Sequence, residues 1–228
     1  MTDVSELVVG VLGGTGPQGR GLAFRLAAAG QRVLLGSRDA ARAASVAAEL
    51  TSGGPTSGGV AGGSVTGDGN AAVAAAADVV IVAVPWDGHA DLLKSLAGEL
   101  AGKIVVDCVN PLGFDSQGAY ALGVPEGSAA QQAATLLPDS RVTAAFHHVS
   151  AVLLVDPQVT AIDTDVMVLG DDREATNVVA ELAARIPGMR GIYAGRLRNA
   201  HQVEALTANL ISVNRRYKAH AGLRITDV

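Results

Sequence analysis

The chain has one cysteine, Cys108, in 228 residues. A single thiol excludes an intrachain disulfide framework and a multi-cysteine metal site. Long apolar runs are missing too. No stretch reaches the ~18 uninterrupted apolar residues of a membrane-spanning helix, although 49% of the residues are hydrophobic. Basic clusters are absent and the formal net charge is −5, which argues against nucleic acid or an anionic membrane as partner. Met1 to Glu6 is short and acidic, without the basic and apolar regions of a secretory signal, so cytoplasmic residence is the expectation. The hydrolase templates G-x-S-x-G and H-E-x-x-H do not occur. Of the five histidines only His147 and His148 are adjacent. Neighbours on a strand face opposite ways, so no metal is expected.

What is present is strand–helix alternation rich in Ala, Val and Leu, the pattern of a parallel sheet covered by helices. Leu7 to Leu12 is an apolar run ending in glycines. A helix over Leu22 to Ala29 stops at Gly30, followed by a strand at Arg32 to Leu35 and a helix from Asp39 to Leu50. Thr51 to Asn70 holds eight glycines in twenty residues and reads as a flexible insertion with a short strand at Ser64 to Thr66. Buried strands are expected at Asp78 to Val84, Lys103 to Val109 and Arg141 to Phe146. Val166 to Leu169, a helix over Arg173 to Ile186 and a short strand near Ile192 precede a long final helix. There Val203, Leu206, Leu210, Val213 and Tyr217 form one apolar face, better suited to core packing than to its alternative, a dimer interface. The fold class is α/β, a Rossmann-like doubly wound parallel sheet over 1–155, with a smaller, mostly helical domain over 156–228.

Gly14-Thr15-Gly16-Pro17-Gln18-Gly19 follows a buried strand and opens a helix. In that place G-x-G-x-x-G is a dinucleotide loop. The first glycine makes the tight turn, the second lets a pyrophosphate reach the backbone, and the third lets helix pack on strand. Free N–H groups and the helix dipole then attract the phosphates. An acid at the end of the second strand would hold the ribose hydroxyl of NAD. Here that place carries Ser37 and Arg38, with Arg42 one turn on. Two guanidiniums suit a 2′-phosphate, so NADP is favoured. Asp39 reads as a helix cap.

Val84-Pro85-Trp86, Asn110-Pro111 and His147-His148 end three strands on the side where open α/β sheets bind ligands. Trp86 could pack in the core or touch the cofactor. Cys108, in an apolar strand with no histidine near in sequence, reads as a small hydrophobe and not as a nucleophile.

Gly13-Gly-Thr-Gly-Pro-Gln-Gly19, Gly36-Ser-Arg38 with Arg42, Val84-Pro-Trp86, Asp107-Cys-Val-Asn-Pro111 and Phe146-His-His148 together resemble the NADPH-dependent coenzyme F420 reductases, or F420:NADP oxidoreductases. The similarity runs through Gly170-Asp-Asp172 to the closing helix. It implies reversible, direct hydride transfer between C4 of NADP and C5 of an 8-hydroxy-5-deazaflavin, in a homodimer with F420 between the Rossmann domain and the C-terminal domain. By this resemblance Thr15, Gly16, Pro17 and Gln18 hold phosphates, and Ser37, Arg38 and Arg42 hold the 2′-phosphate. Val84 and Ala151 join them on the NADP side. His147, Val149, Ser150 and Ala221 fall on the deazaflavin side, with the tail near Ala221 to Leu223 touching F420. No side chain is an obligatory catalyst. His147 is the candidate to stabilise charge or a proton on the ring. The archaeal pattern carries Thr-Ile-Pro where this chain has His148-Val149-Ser150. Two other readings fit the glycine loop. One is an NADP-dependent reductase of a small imine or carbonyl, with His147 or Tyr217 as proton donor. The other is a non-catalytic NADP-binding regulatory module.

Overall fold

The computed structural model describes residues 3–52 and 63–228, so the glycine-rich insertion expected at 51–63 lies mostly outside the described residues. In chain order the elements are β1 (Val8–Leu12), α1 (Pro17–Ala28), β2 (Arg32–Ser37), α2 (Ala40–Ser52), β3 (Ser64–Gly69), α3 (Asn70–Ala76), β4 (Val79–Val82), α4 (His89–Ser95), α5 (Ala97–Leu100), β5 (Ile104–Asp107), β6 (Leu112–Asp115) and β7 (Gly118–Ala121). They continue with α6 (Ala129–Leu136), β8 (Arg141–Ala144), α7 (Ala151–Val155), β9 (Thr164–Gly170), α8 (Arg173–Ala184), β10 (Met189–Gly195) and α9 (Ala200–Tyr217).

Eight strands form one sheet in the order β10-β9-β8-β5-β4-β1-β2-β3, and β6-β7 form a separate hairpin. β3, β2, β1, β4, β5 and β8 run parallel. β9 joins β8 antiparallel, and β10 runs parallel to β9. From β1 the chain winds outward to β3, then crosses back to β4 and winds the other way. The crevice at the β1/β4 reversal is where such sheets bind ligands.

The central strands read as unbroken Val and Ile because both their faces are buried. Val9, Val11, Ile81 and Val106 pack into the core that holds Leu22 and Leu26 of α1. Leu12, Val80, Val82 and Val105 point the other way, against Leu93, Ala129 and Ala133. Alternation within one strand thus fills two cores.

Two expectations change. The sheet does not end near residue 155, because β9 and β10 extend it, so the helices α8 and α9 are joined to the same sheet and do not stand as a clearly separate helical domain. The sequence hid this because β9 turns antiparallel to β8, a pairing that no local pattern announces. The stripe on α9 is also only half a core. Val203 and Leu210 are buried, whereas Val213 is partly exposed and Tyr217 is 73% exposed.

α1 sits unusually close to α7. A Cβ at Gly21 would lie 2.4 Å from Cβ of Leu154, so only glycine allows the approach. Beside it the buried Arg25 donates to the carbonyls of Leu153 (2.6 Å), Leu154 (2.8 Å), Asp156 (2.6 Å) and Val159 (2.5 Å). One guanidinium therefore caps the end of α7, satisfying carbonyls the helix cannot bond itself. Arg25→Met keeps the apolar stem and removes every donor. Chemical denaturation should show a loss of about 2 kcal/mol or more, because buried carbonyls are left unpaired.

Candidate active site at the strand ends

The loop after β1 is pressed against its neighbours. Gly13 has φ +71, and a Cβ there would lie 2.6 Å from the Ala83 carbonyl oxygen at the end of β4. At Gly14 a Cβ would meet Leu35 Cγ at 2.6 Å, and at Gly19 the Gly13 carbonyl oxygen at 2.8 Å. Packing alone explains these three glycines. Gly16 is different: a Cβ there would find no protein atom closer than 3.5 Å, and its φ of −78 suits any residue. The space above it is open at the start of α1. Gly16 brings no side-chain cap and Pro17 no N–H, so the amides of Gln18 and Gly19 face outward. That is a cradle for an anion.

Gly14 N–H donates to Gly36 O at 2.9 Å, tying this cradle to the end of β2. Ser37 is buried and its Oγ accepts from Asp39 N–H at 3.2 Å. Asp39 Oδ1 accepts from Arg42 N–H at 3.2 Å, so Asp39 caps α2. Arg38 and Arg42 are exposed, and their guanidiniums make no hydrogen bond or ion pair among the described residues. Two free guanidiniums thus flank the cradle.

On the other side a cavity of about 420 Å³ opens beneath the ends of β4, β5 and β8. Gln18, Val84, Trp86, Asn110, His147, Val149, Ser150, Ala151 and Ala221 all line it. Seven of the residues expected in the site therefore meet here: Gln18, Val84, His147, Val149, Ser150, Ala151 and Ala221. Thr15, Gly16 and Pro17 stay on the loop, while Ser37, Arg38 and Arg42 form the far station on β2 and α2. Tyr217 does not line the cavity.

His147 and His148 are not on a strand, since β8 ends at Ala144. They belong to a tight turn entered through Phe146, whose φ is +64, in the left-handed region. Gln18 Nε2 donates to Phe146 O (3.2 Å), and Asn110 Nδ2 (2.8 Å) and Thr207 Oγ1 (3.1 Å) both donate to His147 O. Thr207 gave no signal in the sequence, because it sits on the polar flank of an apolar helical stripe. His148 Nε2 donates to Asp165 O at 2.7 Å, which fixes its tautomer. Both ring nitrogens of His147 are buried and have no hydrogen-bond partner among the described residues. Burial pushes this imidazole down to about 4, against the pull of Asp107. The ring is neutral at pH 7 and so offers one N–H donor and one acceptor.

Beneath the cavity lies a polar cluster that the sequence did not announce. Gln132 Nε2 donates to Glu126 Oε2 (3.2 Å), which turns Gln132 Oε1 toward His89 Nδ1 at 3.0 Å. His89 Nε2 meets Asp107 Oδ2 at 2.6 Å. Acceptors beside both ring nitrogens favour the protonated form of His89. Burial works against that charge, yet Asp107 and Gln132 outweigh it and raise its pKa. Asp107 Oδ1 accepts from Val109 N–H (3.0 Å), which shapes the turn to Asn110, and the His89 ring lies 5.5 Å from the Trp86 ring. The pair therefore supports two walls of the cavity. His89 and Asp107 are eighteen residues apart on different elements, so no motif links them. Glu204, on α9, accepts from the amides of Ala129 (2.9 Å) and Ala130 (3.1 Å) at the start of α6, and burial raises its pKa to about 7. Cys108 donates its thiol to Val82 O (3.0 Å), and burial pushes its pKa far up, so it is an inert packing residue as expected.

A family model described as NADP oxidoreductase, coenzyme F420-dependent, matches residues 8–111. The F420-dependent NADP reductase of Methanothermobacter thermautotrophicus is 38% identical over 233 residues, covering 100% of this chain and 98% of that protein. The chain belongs to the F420-dependent NADP oxidoreductase family. A crystal structure of a putative F420-dependent NADP reductase from Arthrobacter sp. FB24 superposes with a TM-score of 0.77 at 29% identity, covering 96% of this chain and 99% of that one. A pyrroline-5-carboxylate reductase from Coxiella burnetii, at 14% identity and a TM-score of 0.60 over 93% of this chain and 67% of that one, shares the fold alone.

Within this family frame the glycine loop makes a contrast that can be measured. Gly16→Ala should cost no more than about 1 kcal/mol of stability, the scale of a helix N-cap change, while an NADPH titration shows affinity falling roughly tenfold or more as a methyl enters the phosphate cradle. Gly19→Ala should instead lower the melting temperature, by overpacking worth about 1–3 kcal/mol.

His147 has a signed pH signature. Its lowered pKa means it contributes stability fully above pH 6.5, its unfolded value, and loses that contribution as pH falls through about 4. Histidine-resolved NMR of the ligand-free protein should find His147 neutral down to pH 5. A pKa at or above 6 contradicts this environment.

Proposed function

We propose that this chain transfers hydride reversibly between NADP(H) and coenzyme F420 in the cavity under the strand ends. The observation that carries the reading is a cavity at the strand ends, lined by His147 and Ala221, beside a glycine loop that keeps open space over Gly16. Thr15, Gly16, Pro17 and Gln18 hold the pyrophosphate at the start of α1. Ser37, Arg38 and Arg42 take the 2′-phosphate, supported by two guanidiniums that have no partner among the described residues. Val84 and Ala151 flank the nicotinamide half, and His147, Val149, Ser150 and Ala221 face the deazaflavin.

The bound nicotinamide and deazaflavin supply the redox chemistry. The residues lining the cavity would bring the two rings together and keep water out. Neutral His147 can donate from one nitrogen and accept at the other, orienting a ring edge without adding charge. An orphaned buried imidazole has a cost that such a ligand would relieve. A nucleophile or a charged acid is not required, which agrees with a protonated Cys108 and a neutral His147. The imine- or carbonyl-reductase reading loses a donor, since Tyr217 stands outside the cavity and in solvent.

The functional partition over 156–228 is the part that closes the deazaflavin side, built on β9 and α9. A homodimer belongs to the same reading, supported by exposed Phe114 and Tyr120 on the β6–β7 hairpin and Val213 and Tyr217 on α9. So does cytoplasmic residence. No helix is long and apolar enough among the described residues to cross a membrane.

Mixing the protein with NADP and reduced F420 and following deazaflavin absorbance tests the proposal. Steady turnover supports it, and tight NADPH binding without turnover refutes it. In the same assay Arg38→Ala should raise the NADP KM by roughly tenfold or more while kcat stays within about twofold, because the 2′-phosphate is remote from C4. A large fall in kcat with KM intact contradicts the assignment.

A further inference from the structure

The segment after α9 has no regular structure, yet it is densely bonded. Lys218 leaves the helix at φ 53, and Ala221 N–H donates to Asn214 Oδ1 at 2.6 Å. The chain then doubles back along the start of β9. Leu223 O accepts from Asp165 N–H (2.8 Å), and Leu223 N–H donates to Thr164 Oγ1 (3.0 Å). A Cβ at Gly222 would lie 2.6 Å from Thr164 Oγ1, so the strap passes in direct contact.

One carboxylate gathers these bonds. Asp165 has a wholly buried side chain. Its Oδ1 accepts from Arg190 Nε (2.7 Å) and Arg224 Nη1 (2.6 Å), and its Oδ2 from Arg190 Nη2 (2.7 Å) and Ile225 N–H (2.6 Å). The Arg190 fork also reaches Ile225 O (2.9 Å) and Val228 O (2.8 Å). Arg224 pairs in addition with Asp163. The Arg190 hydrogen bonds hold the Asp165 carboxyl below the usual range, against the effect of burial.

Topology explains why this matters to the cavity. β8 stops at Ala144, opposite Leu169, so the antiparallel β9 continues past it on the crevice side. Asp165 therefore stands beside the His147–His148 turn, and its carbonyl accepts from His148 Nε2. Its amide and carboxylate hold the strap. Ala221 of that strap lines the main cavity, and Ala221 and Gly222 line a small hollow against His148, Val149 and Ser150.

We propose that the Asp165–Arg190 clamp is the positioning device for the deazaflavin half of the site. It presses the C-terminal strap against the histidine turn, and so sets the seat of the deazaflavin ring without acting on NADP. This rests on the hydride-transfer reading above. Asp165 and Arg190 touch neither reactant and act through Ala221, Gly222 and His148. The phosphate cradle and the Arg38 station lie on β1, α1 and β2, far along the sheet from β9.

The test is a cycle of Asp165→Asn, deletion of residues 219–228, and both together, in the full turnover assay. Each single change should raise the KM for reduced F420 by roughly tenfold or more, with the NADP KM within about twofold. The combination should do no more than the deletion, since the clamp works only through the strap. Hydrogen exchange should quicken at residues 221–225 in Asp165→Asn and stay unchanged in α1. If Asp165→Asn fails to fold, Arg190→Lys keeps the charge and loses the fork, and it should show the same one-sided KM shift. Parallel rises in both KM values, or an F420 KM indifferent to the deletion, overturn the clamp while turnover by the unmodified protein leaves the functional reading standing. Absence of F420 turnover in the unmodified protein overturns that reading and the clamp with it.

Discussion

The site depends on a backbone contact with no room for a side chain. The loop leaving β1 touches the Ala83 carbonyl at the end of β4, and the first turn of α1 touches that loop in return. Gly13, Gly14 and Gly19 pack α1 onto the sheet at the one point where the strand order reverses. This sets where the helix begins and where its free amides point. Gly16 is then left facing open space, and that space is the cradle. A methyl at any of the three packed positions would displace α1, and with it Gln18, Arg25 and Gly21.

Those residues carry the arrangement outward. Gln18 reaches the Phe146 carbonyl, and Arg25 and Gly21 fasten α1 to α7, whose first residue, Ala151, lines the cavity. From the opposite face, the His89–Asp107 pair shapes the turn to Asn110 and lies under Trp86, and Glu204 anchors α6 to α9. The cavity walls are thus held by buried charged groups that are nearly all paired. Such networks specify geometry more than they add stability, because desolvation offsets much of the Coulombic gain. The exceptions are in the histidine turn, where both ring nitrogens of the neutral His147 and Nδ1 of His148 are buried without a hydrogen-bond partner among the described residues.

How much was legible followed from whether the physics was local. The glycine loop, Ser37-Arg38 and the buried strands could be read because turn chemistry, a strand-end charge and apolar runs are written in consecutive residues. The far side of the site was read through family resemblance, and Val149, Ser150, Ala151 and Ala221 do meet in one cavity. What stayed hidden was long-range. His89 with Asp107, Arg25 with the end of α7, Glu204 with α6, and Asp165 with the tail each join elements distant in sequence. The continuation of the sheet past residue 155 was hidden for the same reason, since only pairing across the sheet joins β9 and β10 to it. The β6–β7 hairpin passed unnoticed because its strands are four residues each and half exposed.

The two halves of the site lie on opposite sides of the β1/β4 reversal, with free arginines at one end and a neutral histidine turn at the other. An arrangement of that kind suits two cofactors meeting ring to ring without a protein group between them. The most direct measurement is the fate of deuterium placed at C5 of reduced F420 when NADP is the acceptor in ordinary water. Direct transfer predicts NADPH carrying the label at C4 with no loss to solvent. Label washed out into water, or unlabelled NADPH formed at an undiminished rate, would contradict the account.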